Sequence, residues 1–207
     1  MRKTIIQLIV ILGILSTPVQ SFAKSFYVPN TTEIATVLTE EEARAEGSME
    51  YLPIPYLGKT FTGFKEALAF KESQGRYQII NAYGYLGKYQ FGKSTLERLQ
   101  IDHPNEFLKD PELQERAFIA LCQVNKWILR KDISRMVGKK VNGITITESG
   151  ILAAAHLGGA GNVKKYLRSW GSYQFEDAFG TNLEEYLKKF SGYDTSGIEA
   201  NRFPEIS

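Results

Sequence analysis

Phe70-Lys71-Glu72-Ser73-Gln74-Gly75, followed by Tyr77-Gln78-Ile79-Ile80-Asn81-Ala82-Tyr83-Gly84-Tyr85-Leu86-Gly87-Lys88-Tyr89-Gln90-Phe91-Gly92, holds the change of period on which the fold turns. Upstream, Phe64, Ala67, Leu68 and Lys71 recur at helical spacing, with Thr62 as the expected cap and Gly75 as the stop. Downstream, Tyr77 to Ile80 and Tyr85 to Phe91 are rich in aromatic and β-branched residues. They flank Asn81-Ala82-Tyr83-Gly84, which predicts a small β-hairpin or an irregular ribbon. Glu72 is thereby placed at a helix C-terminus, at the negative end of the helix dipole and among aromatic rings. That setting suits a carboxyl to donate a proton, the requirement of general acid catalysis.

Working outward, the rest of the chain reads as helical. Ser94 is expected to cap a short helix carrying Leu96 and Leu99. Asp110-Pro111 is a helix start, an acid at the N-cap and Pro at the first helical position. Leu113, Ala117, Ala120, Leu121, Val124, Trp127 and Ile128 give that helix a long buried face, so it is expected at the centre of the core. Val141-Asn142-Gly143-Ile144 reads as a turn, Thr147 as the cap of an apolar helix that ends at Gly158-Gly159. Asn162 to Trp170 and Leu183 to Phe190 are expected as two further helices. No internal repeat was found. The expected class is mainly α, with a minor β element.

Bulk properties narrow the function. The 207 residues suffice for one domain with a core. The chain carries 25 basic and 23 acidic residues, and the surplus of two is Arg2 and Lys3. Beyond residue 23 the charges therefore balance, which speaks against a polyanion-driven nucleic-acid binder. Residues 1–23 read as a secretory signal: Arg2 and Lys3, the apolar run Ile5 to Leu15, then Ser21-Phe22-Ala23 with cleavage after Ala23. The apolar run is too short to span a bilayer comfortably, so no membrane span is expected after cleavage. Residues 24–60 read as an N-terminal arm or linker, with a short capped helix over Thr39 to Glu46 and irregular chain at Leu52-Pro53-Ile54-Pro55. Residues 61–191 form the compact domain and 192–207 a loose C-terminal tail. Cys122 is the only cysteine and falls in an apolar helical pattern, as a buried residue does. Export without disulfides points to the periplasm or cell envelope of a bacterium. His103 and His156 are far apart and no metal-ligand spacing occurs, so no metal is expected.

Three blocks carry a resemblance. They are Glu72-Ser73 at a helix end, Gly87-Lys88-Tyr89-Gln90, and Ala155-His156-Leu157-Gly158-Gly159-Ala160-Gly161-Asn162-Val163. In order and spacing, over residues 62–191, they resemble the lysozyme-like lytic transglycosylases of the soluble type. Glu72-Ser73 looks like that family's catalytic Glu-Ser. Gly87 and Gln90 match its Gly-Leu-Met-Gln block. Ala155, Gly159, Gly161, Asn162 and Val163 match Ala-Tyr-Asn-Ala-Gly-Pro-Gly-Asn-Val. Glu185-Tyr186-Leu187 is similar to the segment supplying a later cleft tyrosine.

The resemblance implies an α+β lysozyme-like fold with the ribbon beside an active-site cleft. It implies Glu72 as catalytic acid/base, and Ser73, Tyr89, Gln90, His156, Gly158 and Tyr186 as substrate-binding residues. The substrate would be peptidoglycan glycan strands, cut between N-acetylmuramic acid and N-acetylglucosamine to leave 1,6-anhydro ends, without a cofactor. Two departures stand out: His156 replaces the family's Tyr, and Leu157 replaces an Asn that lies beside the reacting sugar. His156 is either a substitute donor to the sugar or Glu72, or a satisfied histidine at a helix end. Of Tyr77, Tyr83, Tyr85 and Tyr89, at least half are expected in packing and one or two against sugar faces. No second catalytic carboxylate stands out; Glu97 and Asp102 are candidates by proximity alone. A hydrolytic lysozyme, a non-catalytic wall-binding or assembly protein, and an enzyme serving a secretion or conjugation apparatus are the competing readings.

Overall fold

A computed structural model describes residues 57–206. The expected signal segment, the helix over Thr39 to Glu46 and the irregular chain at Leu52 to Pro55 lie outside the described residues. Helix α1, Phe61–Ser73, leads into the ribbon, followed by α2, Lys93–Arg98, α3, Pro104–Lys109, and α4, Pro111–Met136. Strands β1, Lys140–Val141, and β2, Ile144–Thr145, pair antiparallel across the Asn142-Gly143 turn. Helices α5, Glu148–Arg168, and α6, Leu183–Lys189, complete the domain. The described residues are thus mainly helical, with one small antiparallel sheet among them. That sheet lies in the segment read as a turn. The Tyr77–Phe91 segment is the irregular ribbon and not the hairpin, with isolated bridges of Ile80 with Leu86 and Leu86 with Phe91.

Local chemistry explains most boundaries. Thr60, rather than Thr62, caps α1, because its hydroxyl accepts from the Gly63 amide at 3.1 Å. At the other end Gln74 adopts the left-handed conformation, and its amide and that of Gly75 turn back to the last carbonyls. Gly92, not Ser94, precedes α2, and no side chain caps that helix. Asp110 caps α4 as expected, accepting from Leu113 N. Thr147 caps α5 by the same device, accepting from Gly150 N. The break expected at Gly158-Gly159 is a kink inside α5, where Gly159 takes φ 77° and ψ 151°.

Helix α4 is the central element. Phe118 on it stacks on Tyr89 of the ribbon, ring centroids 4.1 Å apart, and meets Phe64 of α1. Cys122 on the same helix is buried, and burial pushes its thiol up to about 12, which leaves it unreactive. The ribbon is tied to α4 through Gln114, which is wholly buried. Its Oε1 accepts from Lys88 N at 2.8 Å, and its Nε2 donates to Phe107 O at 3.0 Å. A Cβ on Gly87 would overlap that Oε1, so the Gly of the Gly87-Gln90 block is required by packing.

The C-terminal tail is not loose. Ile198 and Thr195 are buried, the Tyr193 ring packs on Phe64, and Asn201 N donates to Gln123 O of α4. Lys126 Nζ donates to Thr195 O and pairs with Glu148. Terminal position alone predicts a loose tail. A single buried isoleucine and these long-range bonds override it.

Candidate active site

Helix α1 delivers Glu72 into a cleft of about 430 Å³. One wall is the ribbon, through Ile79, Asn81, Tyr85 and Gln90. The opposite wall is the loop before α6, through Asp177, Ala178, Phe179 and Thr181. His156 and Leu157 from α5 and Tyr186 from α6 complete the lining. The cleft continues past Gln90, His156 and Leu157 into an open compartment of about 1100 Å³, lined by Gly158, Gly161 and Phe175 among others.

The contact that defines the site joins residues 114 positions apart. Tyr186 Oη donates to Glu72 Oε1 at 2.6 Å. Tyr186 is almost fully buried. Burial first, and then the charge of Glu72, pushes its phenol well above the ordinary tyrosine range. It is therefore a standing donor, which fixes the Glu72 carboxyl in one orientation and leaves Oε2 without a protein partner among the described residues.

Ser73 and Gln90 hold the site's frame. Ser73 Oγ donates to Lys88 O at 2.7 Å and accepts from Arg76 N at 3.0 Å, which fastens the helix end to the ribbon. Gln90, at φ 50°, donates from Nε2 to Gly87 O at 2.9 Å while its side chain borders both compartments. His156 Nε2 lies 2.8 Å from Tyr89 O, and a carbonyl only accepts, so the proton sits on Nε2. Its Nδ1 is buried without a partner among the described residues. With Phe91 and Phe118 packed near the ring, His156 is a clamp between α5 and the ribbon. Gly158 has Phe175 and Leu183 where a Cβ would stand, and its carbonyl accepts from Asn162 Nδ2.

Tyr89 is a correction. Expected against substrate, it is fully buried and turned away from the cleft, its hydroxyl donating to Glu115. Burial, and then the Glu115 charge, raises its phenol far above the usual range. The exposed aromatics at the cleft mouth are Tyr83, Tyr85 and Phe179.

Asp177 was not expected. It is the second carboxylate in the Glu72 cleft, its Oδ1 accepting from Phe179 N and Thr181 N. Asp102 lies in a separate groove beside Arg202 and Ile206, and Glu97 faces the outer compartment. Among the described residues no group of three His, Cys, Asp or Glu side chains stands close enough to hold a metal ion. No described helix is long and apolar enough to cross a membrane. Comparison with protein-family models, with curated proteins and with solved structures finds no match.

Proposed function

We propose that this chain is an exported peptidoglycan lytic transglycosylase with a lysozyme-like fold, acting in the bacterial envelope on glycan strands. The observation that carries the reading is the Glu72–Tyr186 pair: one carboxyl, oriented by a buried phenol, facing a polar cleft rimmed by exposed aromatic rings. Flat rings at a cleft mouth suit the apolar faces of sugars, and a single oriented carboxyl suits proton transfer to a leaving oxygen.

In the proposed reaction Glu72 gives its proton to the oxygen between N-acetylmuramic acid and N-acetylglucosamine, and that C–O bond breaks. The substrate's own acetamido oxygen attacks the anomeric carbon and holds the developing cation, a recognised departure from the two-acid scheme. Glu72, now a carboxylate, takes the proton of the C6 hydroxyl. The C6 oxygen displaces the acetamido oxygen and closes the 1,6-anhydro ring. The proton given to the leaving oxygen is thereby replaced on Glu72 by the one from C6. Tyr186 keeps the carboxyl aimed through both proton transfers. Tyr186→Phe is expected to reduce kcat about tenfold with little change in KM, the effect of losing one hydrogen bond to a charged group. A rise in KM alone, with kcat unchanged, would assign Tyr186 to substrate binding instead.

Asp177 favours a second reading, hydrolysis with two carboxylates. Mass spectrometry of the soluble products from purified peptidoglycan separates the two. Anhydro-muropeptides support the transglycosylase. Reducing ends make the protein a lysozyme. No product, from protein that still binds the wall, points to a binding or secretion-assembly role, with Leu157 in place of the polar residue as its cause.

A further inference from the structure

The two walls of the Glu72 cleft end in the same turn. One is Asn81-Ala82-Tyr83-Gly84 and the other Asp177-Ala178-Phe179-Gly180. In the first, Asn81 Oδ1 accepts from Tyr83 N at 2.9 Å and Tyr85 N at 3.0 Å, and Gly84 N donates to Asn81 O. In the second, Asp177 Oδ1 accepts from Phe179 N at 2.9 Å and Thr181 N at 2.8 Å, and Gly180 N donates to Asp177 O. The closing bonds, Asn81 N to Tyr85 O and Asp177 N to Thr181 O, correspond as well. Both glycines are left-handed, at φ 80° and 78°. The side-chain oxygen of an Asn or Asp builds such a turn and the glycine permits it, so each aromatic is held on a stiff base.

These two aromatics meet. The rings of Tyr83 and Phe179 stand edge to face, centroids 4.8 Å apart. Both remain more than half exposed, at 57% and 64%, so neither is there to fill the core. Phe179 lines the inner cleft with Glu72, and Tyr83 lines the outer compartment. The two compartments share Tyr85, Gln90, His156, Leu157 and Ala178. The ring pair therefore spans the groove where the inner cleft opens into the outer one.

The geometry points to Tyr83 and Phe179 as a clasp that makes a glycan strand enter the groove by its end. This rests on the reading of the site as a glycan cleft. A strand laid in from the side must part the rings, whereas one threaded from an end passes beneath them. An edge-to-face pair is a modest latch, so the bias toward end entry is about two- to tenfold. In the proposed reaction such entry favours successive release of small anhydro products from strand ends over internal cuts.

The test uses the Glu72→Gln protein, so that the probe is not consumed, with and without Tyr83→Ala and Phe179→Ala. Both positions are exposed, and their turns are held by Asn81, Asp177 and the glycines, so the double change is compatible with folding. Association rates are measured for peptide-free glycan strands with free ends and for the same strands capped by streptavidin at both ends. The rate is the informative quantity, because a clasp that recloses leaves the equilibrium unchanged. Capped strands are expected to associate about two- to tenfold more slowly than free ones with the clasp present, and equally fast without it. Equal rates with the clasp present overturn the inference, as does a gap that persists in its absence. If free strands do not bind at all, the glycan reading of the site falls and the clasp's role falls with it.

Discussion

Glu72→Gln is expected to lower glycan cleavage by about 10²- to 10⁴-fold, the range associated with loss of a positioned general acid or base. The substitution keeps the size of the side chain and an oxygen for the Tyr186 hydroxyl, now 2.6 Å away. It removes only the ability to give and retake a proton. The melting temperature should stay within about 1 °C, because Glu72 is half-buried and makes no ion pair among the described residues. A variant that folds, binds glycan and retains cleavage within about tenfold of the wild type would overturn the assignment of Glu72. In that event Asp177 becomes the group to replace, since it is the other carboxylate lining this cleft. Loss of cleavage in both single variants, with reducing-end products from the wild type, would establish the two-carboxylate reading.

The helices were legible where a local rule decides them. Asp110-Pro111 begins α4, Thr147 begins α5, and the glycines at 158–159 mark its kink, because capping and left-handed turns are settled within a few residues. The inward tyrosine of the ribbon was not legible. Strict alternation puts Tyr83, Tyr85 and Tyr89 on one face. The left-handed Gly87, between Tyr85 and Tyr89, breaks that alternation, so Tyr89 turns into the core while Tyr83 and Tyr85 stay outside. Glu72 and Tyr186 could be singled out one at a time, yet their contact spans 114 residues and no local pattern encodes it. Gln114 and the tail escaped for the same reason: their burial depends on partners far along the chain. Asp177 had a readable signal, the repeat of Asx-Ala-aromatic-Gly at 81–84 and 177–180, too short to register as an internal repeat.

Glu115→Gln should be strongly destabilising, by about 3 kcal/mol, with the melting temperature falling about 10 °C. Glu115 gathers four donors behind the cleft wall: Lys65 of α1, Lys88 at 2.8 Å, Tyr77 at 2.9 Å and Tyr89 at 2.9 Å. Burial alone would push its carboxyl up. Lys65, Lys88, Tyr89 and Tyr77 together outweigh that and hold it at about 2. Lys88 is buried, which alone would lower its ammonium. Its bonds to Glu115, Glu66 and Tyr77 instead raise it above the ordinary lysine range. Glutamine keeps the shape but leaves Lys88, among the described residues, with only the partly exposed Glu66 as counter-charge. The sign follows from the lowered carboxyl. Its contribution is complete above the unfolded value near 4.5 and fades as pH falls toward 2. The stability gap between wild type and variant should therefore be full at neutral pH and close through that acid window. Lys88 behaves in the opposite sense, its contribution present below its unfolded value of 10.5 and lost only as pH rises through its raised folded value. Denaturant unfolding of both proteins from pH 7 down to the acid limb measures this. A gap that does not change with pH would mean that packing around residue 115, and not its charge, holds the ribbon to α1 and α4. A gap that closes would place the electrostatic anchor of the cleft wall at Glu115, directly behind the Ser73–Lys88 bond that fixes the end of the helix bearing Glu72.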